Sequence, residues 1–337
     1  MAIDEQSTAA ETAAAVPSPT DRFAWRSMLR IEAALVIAIA VTWAAFGIVG
    51  QGFFSQYSIF QVTQVIASSL LIGFAQMVVL VTGRLNLAVG GIGVVCIMLA
   101  GSLMTAMGLP WAVALLVSIL AGALIGAIIG LLEANTRIGS FVITLASLSI
   151  LTGGVYIVTR AQPISLPADV RALGAAGFVS PSVSVLLVPA LLIAVVLWYL
   201  YSMTPFGRQS KAIGFNERAS STSGVRVKGV LVATFMLSGA LCAIAAFIQS
   251  VRVGVVLPSL GEDWVIASFI VPVLGGTALS GGRISVGGAV LGAIFLTSAN
   301  TGLISVGLPS TWLIFAQGAV LLAVILIQAF LRKRATR

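Results

Sequence analysis

Residues 204–230 read TPFGRQSKAIGFNERASSTSGVRVKGV, a long, basic, hydrophilic island between two long apolar blocks. The chain around it is 59% hydrophobic and only 8% charged, with a mean hydropathy of +1.12. Soluble chains carry about 25% charged residues, so the blocks on either side of the island belong in hydrocarbon and the island outside it. Apolar stretches of about 20 residues, the length that crosses a ~30 Å hydrocarbon core, recur from residue 31 to 331. In lipid every backbone group must be satisfied internally, and these Gly- and Leu-rich runs lack the alternation of barrel strands. The expected fold is therefore all-α, a polytopic helical membrane bundle.

Spans are expected near 31–50, 61–82, 86–108, 111–132, 138–159, 185–203, 230–251, 264–281, 285–305 and 310–331. Ten crossings put both termini on one side, and the basic residues test that arrangement. With the island and both termini cytoplasmic, only Arg160, Arg171 and Arg252 of the 18 Lys and Arg residues fall outside. An odd number of spans would export the basic end Arg332–Arg337, against the positive-inside rule. The domain plan is a tail over 1–30, a transmembrane domain over 31–331 with a cytoplasmic loop at 204–229, and a basic cytoplasmic end at 332–337. The first 27 residues are rich in Ala, Ser, Thr, Pro and Glu, with neither an apolar run nor a small-residue cleavage site. They read as a disordered cytoplasmic tail, not a secretory signal. Positive-inside loops account for the net charge of +8, so no nucleic-acid partner is expected.

The absences restrict the chemistry. There is no His, and every carboxylate (Asp4, Glu5, Glu11, Asp21, Glu32, Glu133, Asp169, Glu217, Glu262, Asp263) lies in a tail, a loop or a span end. Proton-driven carriers use an intramembrane carboxylate or histidine as relay, and none is in place here. A sodium site made of carbonyls keeps a secondary transporter as an alternative. The same gaps leave no catalytic residues and no metal or cofactor site to nominate. No Gly-x4-Gly-Lys loop is present to hold a nucleotide, so energy for uphill transport has to come from another subunit. Cys96 and Cys242, mid-span and far apart in sequence, read as packing residues.

Two local patterns stand out. Gly122, Gly126 and Gly130, and again Gly288 and Gly292, recur every four residues, a spacing that lets helix backbones approach closely. Within the island, Asn216 suits a helix N-cap, Glu217 the positive N-terminal end, and Gly224 the left-handed position past the C-terminus. The result is a short surface helix whose small residues Ala219, Ser220, Ser221 and Ser223 make a slim face, ringed by Arg208, Lys211, Arg218, Arg226 and Lys228. Such a helix fits a groove on a soluble partner.

Four stretches resemble the permease subunits of bacterial ABC importers for monosaccharides, of the ribose, galactose, arabinose and autoinducer-2 type. LVTGRLNLAVG at 80–90 is similar to the TGGIDLSVG signature of that family. The stretch 204–225 is similar to its T-x-F-G-R…A-x-G-x-N…A…SG loop. GEDWVIASFIVPVLGGTALSGG at 261–282 is similar to its GGT-x-L-x-GG segment, and 287–304 to its G-x-x-x-G and N-G elements. The resemblance implies a pathway built by two permease subunits, a periplasmic sugar-binding protein that delivers solute, and a cytoplasmic ATPase that binds ATP. It places Asn216, Glu217, Arg218, Ala219, Ser220 and Gly224 in the helix that couples to the ATPase. The chain departs from the family at Gly83-Arg84-Leu85-Asn86, where an arginine replaces a glycine and an amide an acid, and at Ser220, where Ala is usual.

Candidates to line the pathway are the uncharged polar residues in or near spans: Gln76, Asn86, Thr144, Ser147, Thr152, Thr297, Ser298 and Asn300, with the amides Gln76, Asn86 and Asn300 foremost. Amides and hydroxyls exchange hydrogen bonds with a sugar without holding it tightly. The expected function is that of an inner-membrane permease for a monosaccharide or related neutral polyol. The alternatives are an ABC permease for branched-chain amino acids or nucleosides, and a self-sufficient secondary carrier.

Overall fold

The computed structural model describes residues 19–307, apart from 50–52, 137 and 179–180, together with isolated positions from 312 to 326. In chain order the helices are α1 (Pro19–Val49), α2 (Gln56–Leu80), α3 (Val89–Ala106), α4 (Trp111–Asn135), α5 (Ser140–Thr159), α6 (Ala168–Ala175), α7 (Leu187–Met203), α8 (Pro205–Phe215), α9 (Glu217–Thr222), α10 (Val227–Val253), α11 (Trp264–Leu274) and α12 (Val286–Ser305). The strands β1 (Ile164–Ser165) and β2 (Val255–Val256) pair antiparallel, with Ile164 opposite Val256.

Among the described residues seven helices are long and apolar enough to cross a membrane: α1 over Ile31–Val49, α2, α3, α4, α5, α10 and α12. α7 and α8 make an eighth only if counted together across a bend of 71°. The chain is a polytopic helical membrane protein, and these seven helices coincide with seven of the ten expected crossings. The expected span 185–203 appears as α7, and 310–331 lies largely outside the described residues.

The expected span 264–281 is corrected. α11 has 11 residues, about 16 Å at 1.5 Å per residue, half of what a crossing needs. The helix stops where Gly276 adopts positive φ (+87°), a conformation that only glycine takes without strain, and Gly281 and Gly282 (+85° and +81°) turn the chain again beyond it. The segment 254–263, which precedes α11 and includes β2, runs beside α3. A Cβ at Gly101 would lie 3.3 Å from Val256, one at Gly90 would overlap the Gly261 carbonyl, and one at Gly93 would lie 2.7 Å from Trp264. α3 itself begins at depth, since a Cβ at Gly91 would sit 3.2 Å from Leu148 and Leu151, midway along α5. The start of α3 and the segment that leads into α11 thus meet backbone to backbone at Gly90 and Gly261.

α2 and α10 form the centre of the bundle, with Leu70, Phe74, Met77, Leu80 and Phe235 buried. α4 shows how the sequence divides between protein and lipid. Its Ser118, Gly122, Gly126 and Gly130 are buried, while Leu116, Leu120, Leu124 and Ile128, two residues out of phase and so on the opposite face, are exposed. On the buried face a Cβ at Gly126 would overlap the Phe235 carbonyl, one at Gly122 the Gly239 carbonyl, and Ser118 donates to the Cys96 carbonyl at 3.0 Å. Gly288 and Gly292 pack likewise on Gly275 and Val271. The four-residue glycine spacing therefore serves helix packing, as its pattern suggested. Cys96 and Cys242 are buried free thiols.

Candidate functional site

α7 turns sharply into α8 because Thr204 and Pro205 stop one helix and start the next. The Thr204 hydroxyl accepts from the Gly207 N–H, Pro205 takes the first helical turn where its missing N–H costs nothing, and Lys211 Nζ returns to the Tyr201 carbonyl at 2.8 Å. α9 then forms as its residues dictate. Asn216 is extended at φ −160° and its Oδ1 accepts from the Ala219 N–H at 3.1 Å, while Glu217 occupies the first turn. Gly224 ends the helix at φ +83°, and the Val225 N–H reaches back to the Ser220 carbonyl at 3.1 Å.

The six residues nominated in the island come together here. Asn216, Glu217, Arg218, Ala219 and Gly224 are exposed, whereas Ser220 is buried and its hydroxyl donates to the Asn216 carbonyl at 2.9 Å. The serine in place of the usual alanine thus faces the bundle and leaves the slim outer face unchanged. Phe215, immediately before the cap, is 67% exposed, an aromatic of the kind that anchors protein interfaces. Beside α9 a cleft of about 940 Å³ opens between the ends of α4 and α10, with Arg84, Glu133, Glu217, Arg218, Arg226 and Lys228 in its wall.

Arg84 ties this surface together. Its guanidinium lies 2.8 Å from a Glu217 carboxylate oxygen and 3.2 Å from one of Glu133, whose side chain is only 1% exposed. Neither pairing was visible in the sequence, where the partners stand 49 and 133 residues away from Arg84 in the numbering. The only signal was the arginine at a position where the resembling permeases carry glycine.

The three amides nominated for the pathway fare differently. Asn86 is fully buried and both ends of its amide are engaged: Nδ2 donates to Ser238 Oγ at 2.9 Å and Oδ1 accepts from the Ala88 N–H at 3.0 Å, which starts α3. Ser238 passes the connection to the Ala75 carbonyl at 2.6 Å. Gln76, the next residue on α2, is also fully buried, yet neither its amide nitrogen nor its oxygen has a hydrogen-bond partner. Asn300 is half-buried, about 21 Å along α12 from Val286. Of the hydroxyls, Thr144 and Ser147 bond to carbonyls of their own helix, Ser298 accepts from Trp43 Nε1 at 2.8 Å, and Thr297 Oγ1 is buried without a partner. Beside the start of α11, Tyr156 Oη donates to Glu262 at 2.7 Å, with Tyr156 half-buried and Glu262 exposed. This pairing has no signature in the sequence, because hydropathy does not show that 254–263 runs beside α3.

The fold is that of a polytopic helical membrane protein with a short capped surface helix between α8 and α10. The family model described as the permease component of branched-chain amino acid transport systems matches residues 58–325, and the chain belongs to that family of ABC importer permeases, which carry the pathway and no catalytic site. Among its relatives, the ribose import permease protein RbsC of Bacillus subtilis is 32% identical over 283 residues, 83% of this chain and 87% of the relative. The fructose import permease protein FrcC of Rhizobium meliloti is 30% identical, covering 88% of this chain and 85% of its own. The autoinducer 2 import system permease protein LsrC of Photorhabdus laumondii is 30% identical, covering 89% and 90%. No solved structure matches the chain significantly.

Proposed function

We propose that this chain forms the inner-membrane pathway for a monosaccharide or related neutral polyol. A periplasmic binding protein delivers the solute, a second permease subunit completes the pathway, and an ATPase docks on the surface presented by α9, which places the island and both termini in the cytoplasm. The observation that carries the choice of solute is the similarity, at about 30% identity over most of the chain, to permeases named for ribose, fructose and autoinducer 2. The side chains agree with a neutral cargo. In the described spans the ionised groups stand near helix ends, as with Glu133 on α4, Lys228 and Arg252 on α10, while the buried interior offers amides and hydroxyls such as Gln76 and Thr297.

The docking role rests on geometry. α9 is short, exposed, capped at both ends by its own residues, and flanked by a cleft and by Phe215. A rigid helix presented in this way docks without paying ordering entropy. For the pathway, Gln76 is the foremost lining residue, because a buried amide with no protein partner is costly unless a passing solute or water completes its bonds. Asn86 has spent its amide on Ser238 and Ala88 and serves to hold the entry of α3.

The test is uptake by the complete assembly in proteoliposomes, offered radiolabelled ribose, fructose, leucine and adenosine in turn. Uptake of a sugar with none of leucine or adenosine is expected. Uptake of leucine or adenosine alone would replace the sugar reading with the amino-acid or nucleoside alternative.

A further inference from the structure

The turn between α2 and α3 meets several distant segments at once. The Val81 carbonyl accepts from the Gly282 N–H at 2.8 Å, and a Cβ on Gly214 of α8 would overlap that same carbonyl. Gly83 takes φ +77°, and a Cβ on Gly281 would lie 2.6 Å from its nitrogen and 2.9 Å from Gly214 Cα. Three glycines from three distant segments therefore meet backbone to backbone, where any side chain would force them apart. Arg84 follows, bridging Glu217 of α9 and Glu133 of α4. Then the Leu85 N–H donates to Ser140 Oγ at the start of α5 at 3.2 Å, and Asn86 donates to Ser238 of α10. Beyond Asn86 the chain enters α3, whose first residues lie against Gly261 and Trp264.

We propose that Val81–Asn86 is a strap that carries movement of α9 into the bundle interior, with Arg84 as the positioning residue that holds α9 to it. This deepens the docking role proposed above and rests on it. The physical argument is one of stiffness. α9 is joined to its neighbours along the chain by Phe215–Asn216 and by Ser223–Arg226, and among its described side chains the only ion pair to another segment is Glu217 with Arg84. The glycine junction fixes the base of α8 to the same turn, so a shift of α9 pulls on Arg84 while the junction acts as fulcrum. The pull arrives at Asn86 and the start of α3, beside Gly261. Packed elements of this kind pass small displacements on as discrete rearrangements, because close-packed backbones do not deform gradually.

Hydrogen exchange on the chain in complex with its ATPase, compared with and without ATP and vanadate, tests the strap without knowledge of the solute. In the unmodified complex, residues 216–224 are protected by the ATPase, and trapping the nucleotide changes exchange at residues 84–90 by about tenfold, a coupling of ordinary size. The double variant Arg84→Gln with Glu133→Gln removes the link from the side of the turn, leaves no buried carboxylate unpaired and leaves every residue of α9 unaltered. In it the protection at 216–224 is expected to persist and the response at 84–90 to vanish. Glu133→Gln alone, which keeps the pairing of Arg84 with Glu217, is expected to retain most of the response. A response at 84–90 that survives in the double variant overturns the strap, as does loss of the response in Glu133→Gln alone. Absence of protection at 216–224 in the unmodified complex would instead sink the docking role itself.

Discussion

Gln76 is the residue at which stability and the proposed pathway role make opposite demands. Its amide sits fully buried on α2 with neither atom paired, whereas one residue earlier the Ala75 carbonyl is answered by Ser238. An unpaired buried polar group costs about 1–3 kcal/mol, so replacing it by an apolar group of similar size should stabilise the protein. Gln76→Leu is accordingly predicted to raise the melting temperature in detergent and to lower uptake; unchanged uptake together with higher stability would show the amide to be dispensable. Single residues were legible in the sequence where their chemistry is local. Asn216 and Gly224 could be placed at the ends of α9 because a cap needs only neighbours three or four positions away. Asn86 and Arg84 were not, because what they do depends on Ser238, Glu133 and Glu217, brought near only by the fold.

Helices in this bundle are held by the absence of side chains as much as by their presence. Along α4 the glycine face admits the α10 backbone and the leucine face looks outward, so two substitutions of equal size on different helices should differ sharply. Gly126→Ala drives a methyl into the Phe235 carbonyl, while Gly153→Ala on α5 meets nothing within 4 Å. Overpacking of this sort costs about 1–3 kcal/mol, whereas an alanine in place of an open helical glycine gains roughly 0.5–1 kcal/mol. Thermal unfolding in detergent is predicted to move down for Gly126→Ala and to hold or rise for Gly153→Ala; equal effects would contradict the packing described. Most elements were legible because apolar runs of membrane length are read directly from composition. The crossing at 264–281 was not, since hydropathy counts glycine as neither break nor bend. The stop at Gly275–Gly276 and the course of 254–263 are set by φ angles and by contact with Gly90 and Gly101.

At the level of the whole molecule, the permease is a gate that contains no motor. Its described spans offer no histidine and no carboxylate buried far from a helix end, α3 meets the segment before α11 at Gly90 and Gly261, and α9 is paired through Arg84 with the turn that enters α3. Family membership was legible from four motif stretches, but the connection among them, with Gly83, Gly214 and Gly281 drawn into one junction, exists only in three dimensions. The most direct measurement is solute uptake into proteoliposomes holding this permease with and without its ATPase, under ATP alone or under an imposed proton or sodium gradient. Uptake is predicted only with the ATPase and ATP; accumulation driven by an ion gradient in vesicles that lack the ATPase would contradict it.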